Sequence, residues 1–138
     1  MSTVMHATKL VVRDVDAAEQ FYEAIGLKVV SRNVGGEGDV HQQQSWLAAS
    51  DAPNAHILIL TRFLELPLPA RPEYPGEIWL CFLVPDVDDT VAMVQARGGT
   101  LVRAGEDQPG HQVRAAVVTD PEGHLIELVG PMKDGSEG

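Results

Sequence analysis

The sequence is short of several features, and each shortage excludes a class of protein. It has one cysteine, Cys81, so no internal disulfide can form and a reducing compartment is expected. Ten basic residues against 20 acidic ones give a net charge of −10, which argues against nucleic acid or an anionic membrane as partner. No apolar run approaches the roughly 18 residues of a membrane span, and no basic segment followed by an apolar one opens the chain. We therefore expect a cytoplasmic protein with neither a membrane nor a nucleic-acid partner.

What the sequence does contain is an internal repeat within a chain of 138 residues, the size of one compact domain. The segment 12–16 (VRDVD) returns in the second half of the chain as 84–88 (VPDVD). The segment 56–60 (HILIL) returns there as 124–128 (HLIEL). Two matches in the same order indicate the duplication of one module.

Each copy has the pattern of a strand, a helix and three further strands. For the first helix we predict Asp16 as the cap, with Glu19 completing a capping box, and for the second helix Asp86 or Asp88 as the cap. The strands, chosen by length and β-branched content, are predicted at 5–12, 27–33, 41–49 and 56–61, and again at 78–84, 100–103, 112–119 and 124–129.

This pattern predicts an α+β fold of tandem βαβββ modules, forming a curved mixed sheet around a cleft. Residues 1–130 would form one domain, with module one at about 4–64, a proline-rich linker at 65–75 and module two at about 76–130. The segment 131–138 is expected to be a flexible tail, because it is polar and contains glycine. Function is expected in the cleft between the two modules.

Because side chains alternate along a strand, one face of each sheet packs on its helix and the other stays open. The predicted open face carries Ala7, Lys9, Val11, Ile57, Ile59 and Thr61 in module one, and Trp79, Cys81, Leu83, Leu125, Glu127 and Val129 in module two. Alternate members of Gln42, Gln44 and Trp46 should join it. Such an apolar cup with an aromatic wall suits a flat organic ligand, with Trp79 as a stacking plate or, alternatively, as core filler.

Two segments, LVVRDVDAAEQFYEAIGLKVV and VVTDPEGHLIELVG, carry a family resemblance. They resemble the first helix and the closing hairpin of the glyoxalase/bleomycin-resistance/extradiol-dioxygenase superfamily, the vicinal oxygen chelate proteins. The resemblance covers about residues 4–130. It implies the duplicated fold, and it leaves the individual activity open.

The resemblance also implies where a metal would sit. Metal-using members hold a divalent ion with one side chain from each first strand and one from each last strand, and these positions fall here on Ala7, Ile59, Trp79 and Glu127. Only Glu127 can ligate, so we expect no metal and no other cofactor. The alternative is a displaced site built from His6, His56, Glu77 and Glu127, which would need a β-bulge to turn His6 to the open face.

Glu127 is the residue with the clearest chemical potential. A carboxylate in an apolar cup is costly unless paired, so it could serve as a general base without a metal. The plainer interpretation is an ion pair with Lys9 or Arg114. Cys81 is a weaker candidate, because a buried cysteine is more often inert packing.

Two functions follow. The first is a metal-poor protein that binds a small apolar or aromatic molecule, as drug- or metabolite-sequestering (bleomycin-resistance-like) family members do, through Ala7, Lys9, Gln44, Trp46, Ile59, Trp79, Cys81 and Leu125. The second is a lyase or isomerase that uses Glu127, either without a metal or with displaced ligands. The resemblance implies a homodimer in both cases. Whether His41 or His111 reaches the cleft stays open.

Overall fold

A computed structural model describes residues 2–133, and over these residues the predicted order of elements is confirmed. The first half contains β1 (Ala7–Val11), α1 (Val15–Ile25), β2 (Lys28–Gly35), β3 (Gln42–Ala48) and β4 (Ile57–Phe63). The second half contains β5 (Trp79–Leu83), α2 (Val87–Ala96), β6 (Thr100–Gln108), β7 (Val113–Thr119) and β8 (Leu125–Gly130). The chain divides into two compact units between Ala70 and Arg71, and each unit is one βαβββ module.

Each unit has one mixed four-stranded sheet with the same topology. The strand orders are β1-β4-β3-β2 and β5-β8-β7-β6, with the first and last strands of each module parallel and the other pairs antiparallel. Ala7 lies opposite Ile57, and Trp79 lies opposite Leu125. Because the sequence repeat relates the first of these pairings to the second, the duplication extends to the strand register.

The helix-covered face of each sheet holds the core, as the period-two pattern predicts. Leu60 in β4 and its repeat Leu128 in β8 are both 0% exposed. Tyr22 of α1 is also fully buried and meets Phe21 edge to face, with ring centroids 5.0 Å apart. Alternation along the strands then directs the neighbouring side chains to the open face.

The first helix begins at a different cap from the one that the sequence suggests. Asp14 is the N-cap of α1, and its carboxylate accepts a hydrogen bond from the Ala17 backbone N–H at 3.0 Å. The predicted capping box of Asp16 and Glu19 is therefore wrong. In the second module, Asp86 caps α2 in the same way, through the Asp89 N–H at 2.9 Å.

Two strands also run beyond their predicted ends at 33 and 103. β2 continues to Gly35, and β6 continues to Gln108. The pairing of β6 with β7 shifts register between Leu101 and Arg103, and again between Arg103 and Glu106. Such bulges break the alternation of side chains, so the sequence pattern did not reveal the full length of this strand.

The remaining features concern the end of the chain and its helices. Residues 120–123 form a turn before β8, with the Gly123 N–H donating to the Asp120 carbonyl at 3.1 Å. Of the expected flexible tail, residues 134–138 lie outside the described residues. Lys133 itself is held, with its ammonium 2.6 Å from Asp88. Neither of the two helices described is long and apolar enough to cross a membrane.

Candidate functional site: two open sheet faces

The open face of the first sheet carries a connected row of polar side chains. Gln42 is its centre, because its side-chain oxygen accepts from the Lys9 ammonium (3.0 Å), the Thr61 hydroxyl (2.8 Å) and the Gln44 amide (2.6 Å). The Gln44 oxygen in turn accepts from the indole N–H of Trp46 at 2.8 Å. We name these five residues the glutamine array. It fixes the rotamers of side chains that would otherwise be mobile on an open face.

The open face of the second sheet is chemically different, because aromatic and charged groups line a concave surface of about 250 Å³. The lining side chains relevant here are Tyr74, Trp79, Arg103, Glu106, Gln108 and Glu127. The indole N–H of Trp79 donates to the Pro75 carbonyl at 2.5 Å, which holds the ring in place. The Tyr74 ring lies 6.1 Å from the Trp79 ring at an angle of 36°. We name this surface the aromatic cup.

At the aromatic cup, Glu127 and Cys81 are opposite one another on the parallel strands β8 and β5. The Cys81 thiol donates to Glu127 Oε1 over 3.6 Å. Burial raises the pKa of the Cys81 thiol, and the charge and hydrogen bond of Glu127 raise it further. Because the nucleophile is the thiolate, this setting suppresses nucleophilic reactivity in Cys81. Cys81 is nevertheless an exposed residue.

The proposed ion pair between Glu127 and Arg114 is wrong. Arg114 contacts two other carboxylates, Asp88 of α2 and Asp107 of β6, each at 3.1 Å. The strand positions explain this outcome, because Glu127 lies opposite Val117 and Arg114 follows the opposite alternation from Val117 along β7. Lys9, the other proposed partner, donates to Gln42.

Of the two histidines of the predicted displaced metal site, His56 is hydrogen-bonded to other residues and His6 is exposed. His56 contacts the Thr8 hydroxyl through Nε2 at 2.8 Å and the Met5 carbonyl through Nδ1 at 3.1 Å, so both its ring nitrogens have partners within the first module. His6 is exposed. His41 lies 3.2 Å from Glu65, and His111 is exposed. Within residues 2–133, no group of three or more His, Cys, Asp or Glu side chains is placed to hold a metal ion.

A second concave region, of about 220 Å³, lies on the helix side of the first sheet and has a structural explanation. Glu19 is 7% exposed and receives two hydrogen bonds from Arg32, at 2.8 and 2.9 Å, and one from Ser45 at 2.5 Å. The pKa of the Glu19 carboxyl is kept below its ordinary value, and the hydrogen bonding of the Arg32 guanidinium is the largest cause. This cluster fastens α1 to β2 and β3.

The chain belongs to the Glyoxalase/Bleomycin resistance protein/Dioxygenase superfamily, whose family model matches residues 4–128. No curated protein sequence matches it significantly. Solved structures that resemble it include a glyoxalase family protein from Bacillus cereus, with 25% identity, coverage of 94% of this chain and 95% of that one, and a TM-score of 0.77.

Two further structures show the range of proteins that share this fold. An antibiotic-binding protein from a Streptomyces species is 27% identical, with 96% of this chain and 98% of that one covered and a TM-score of 0.67. Glyoxalase I from Zea mays is 21% identical, with a TM-score of 0.73. The match covers 94% of this chain and 48% of the maize enzyme, so the chain spans about half of that protein's length.

The residues at the family's metal-ligand positions do not fit a metal. Ala7 and Ile59 have no donor atoms, and the Trp79 ring nitrogen is an N–H donor already bonded to Pro75. Glu127 alone offers oxygen ligands, and one carboxylate binds such ions weakly.

Sequence reasoning missed several residues of the aromatic cup. The sequence places Tyr74 in the linker and Arg103 at the end of the strand predicted at 100–103, and it predicts no element at Glu106 and Gln108. The bulged strand β6 brings the last three into the cup, and only its pairing with β7 reveals them. The sequence repeat does pair Lys9 with Cys81 and Ala7 with Trp79, which shows that equivalent positions in the two copies differ in chemistry.

Proposed function

We propose that this chain is a metal-poor member of its superfamily that binds a small, largely apolar or aromatic organic molecule and sequesters it, as a drug- or metabolite-binding protein does. The observation that carries the proposal is the aromatic cup. Trp79 is 37% exposed and is fixed by Pro75 beside Tyr74, on a concave surface that also holds Glu127. An exposed but immobilised indole is a ready surface for stacking, because little conformational freedom is lost when a ligand binds.

The chemistry of the cup favours binding over covalent catalysis. Cys81 is held in the thiol form by its surroundings, so it is poorly suited to attack a ligand. The charged groups at the cup, Arg103, Glu106 and Glu127, can orient a ligand that stacks on Trp79. The antibiotic-binding protein from Streptomyces gives a precedent for this kind of function on the same fold.

The two tryptophans make the proposal directly testable. In protein labelled with ¹⁵N-tryptophan, the indole N–H groups of Trp46 and Trp79 give two resonances, one for each open face, and Trp46→Phe and Trp79→Phe variants assign them. Titration with a set of flat aromatic compounds should move the Trp79 resonance to saturation for at least one compound. If no compound in a broad set moves it, binding at the cup is refuted.

The alternative is a lyase or isomerase in which Glu127 acts as a general base. One observation favours this alternative. Glu127 is the one carboxylate among the four positions that correspond to the family's metal ligands, and it lies in the cup, where it could take a proton from a bound molecule. A Glu127→Gln variant separates the two functions once a ligand is known. Normal binding with no turnover supports the base, whereas loss of binding supports sequestration. Glu37→Gln, at an exposed carboxylate of the first module outside the cup, is the control and should retain any turnover.

The absence of a metal requirement is part of this proposal and needs its own measurement. Elemental analysis of the purified protein, after incubation with Ni, Zn, Mn or Fe salts and desalting, should give less than about a tenth of an equivalent of any metal. A stoichiometric metal would overturn the metal-poor assignment and support the version with displaced ligands.

We also propose a homodimer in the cytoplasm. Leu83 lies in the edge strand β5 and is 83% exposed, and Ile78 directly precedes this strand and is 72% exposed. Large apolar side chains at a sheet edge favour association. The free thiol of Cys81 is compatible with a reducing compartment. Sedimentation equilibrium should give twice the monomer mass, and a Leu83→Lys variant should lower it. A wild-type monomer at micromolar concentration would contradict the proposal.

A further inference from the structure

We infer that the glutamine array is a second ligand subsite, and that it takes the negatively charged oxygen of a small aromatic acid, a carboxylate or a phenolate. The inference rests on the proposed function in one respect, namely that the protein binds small organic molecules. Its physical basis is separate, because it depends on the first sheet alone.

The first step is the balance of donors and acceptors in the array. An ammonium has three N–H groups and a carboxamide has two, whereas a carboxamide oxygen accepts about two hydrogen bonds. The Gln42 oxygen already accepts from three donors, and the second amide, Gln44, has its oxygen bonded to Trp46. Lys9 uses one of its N–H groups within the array, and the Gln42 amide uses one on the Val40 carbonyl. The array therefore has N–H groups to spare and little acceptor capacity left.

The second step is charge. Lys9 is exposed, and within residues 2–133 its bonding partner is the neutral amide of Gln42. The positions that share its face in β1, β3 and β4 hold no acidic residue, as the strand registers show. The chain has a net charge of −10, yet the Lys9 ammonium is not neutralised by any carboxylate of these three strands. A ligand oxygen that carries negative charge would satisfy both the charge and the surplus donors.

The third step is the aromatic part of the ligand. Trp46 is half-buried beside Gln44, and its N–H is held by the Gln44 oxygen, so its ring is fixed next to the donors. An aryl carboxylate or phenolate can rest its ring on this apolar surface while its oxygen reaches Lys9 and the amide N–H of Gln44. An aliphatic or inorganic anion would use only the donors.

The test uses benzoate as the probe and the Trp46 indole N–H resonance as the readout, in protein labelled with ¹⁵N-tryptophan at low salt. We expect benzoate to move this resonance to saturation, and benzamide, the neutral analogue, to leave it in place. Lys9→Met should weaken benzoate binding about tenfold, the loss expected for one charge-assisted hydrogen bond. Lys28→Met, which removes the same charge from an exposed site on the same sheet, should retain wild-type affinity within about twofold.

Each other outcome overturns the inference. The array is structural if benzoate does not move the Trp46 resonance, or if benzamide moves it equally. The same conclusion follows if the response to benzoate survives Lys9→Met. If sulfate gives the same response at the same concentration, the array is a general anion patch. The Trp79 resonance reports on the aromatic cup in the same spectra, so failure of this inference is distinguished from failure of the proposed function.

Discussion

The two sheets share a strand order and the register of their parallel strands, yet their open faces differ in almost every functional group. The first face has amides and one lysine joined by hydrogen bonds, whereas the second has two aromatic rings with Arg103, Glu106 and Glu127 around them. The helix-covered faces have stayed alike, with leucine repeated by leucine at 0% exposure. The difference teaches that the duplicated core is constrained by packing, while the open faces have been free to acquire separate chemistry.

The ion pairs that fasten each helix to its sheet also differ between the two modules. In the first module the helix supplies the acid, Glu19, and β2 supplies Arg32. In the second module the helix supplies Asp88, and the arginine comes from a different strand, as Arg114 of β7. Both modules therefore fasten the helix to the sheet with an ion pair, although the two pairs are not at equivalent positions of the repeat.

The largest predicted effect tests whether the two cores are equivalent. Leu60→Ala and Leu128→Ala should each lower the free energy of unfolding by about 2–5 kcal/mol, because each leaves a cavity in a fully buried site. Urea denaturation followed by circular dichroism measures both. Leu66→Ala, at a residue 41% exposed, is the control and should change stability by less than about 0.5 kcal/mol. A small loss at either core leucine would break the equivalence.

A smaller effect is predicted for the two helix-fastening acids, and it depends on pH. Glu19→Gln should cost about 1–2 kcal/mol at pH 7, because a carboxylate whose side chain is 10% exposed loses its pairing with Arg32. Asp88→Asn should cost less, since the Asp88 side chain is 32% exposed.

The sign of the pH dependence follows from the pKa shift. The pKa of Glu19 is lowered by folding, so its contribution is fully present above its ordinary value of 4.5 and is lost as the pH falls through the lowered value. The melting temperatures of wild type and Glu19→Gln should therefore converge as the pH is lowered below that range. A difference that persists or grows in acid would contradict this origin of the stability.

The smallest predicted effect concerns the cysteine of the second open face. Glu127→Gln should lower the pKa of Cys81, because it removes the negative charge that disfavours the thiolate, although the effect of burial stays. At pH 8 the rate of thiol alkylation should rise several-fold, about in proportion to the thiolate fraction. An unchanged or slower rate would show that Glu127 does not influence the thiol. Glu106→Gln serves as the control for a general change in surface charge.

The sequence predicts the modules, the strand faces and the family because these depend on local periodicity and on repetition, which a single chain displays. It predicted Asp16 rather than Asp14 as the cap of α1, because both residues have suitable chemistry and only the backbone shows that the helix begins at Val15. The bulges of β6 hid Glu106 and Gln108, since a register shift cancels the alternation on which the prediction depends. The role of Gln42 could not be predicted either, because its donors come from three strands and meet only through long side chains.

The central claim is that ligand binding resides on the aromatic cup of the second module. Isothermal titration calorimetry with the tightest neutral aromatic compound from the screen tests it most directly, on Trp79→Leu and Trp46→Leu variants of equal stability. Trp79→Leu should weaken binding by about tenfold or more, because the fixed stacking surface is lost, while Trp46→Leu should stay within about twofold of wild type. Equal losses in the two variants, or a loss confined to Trp46→Leu, would contradict the claim.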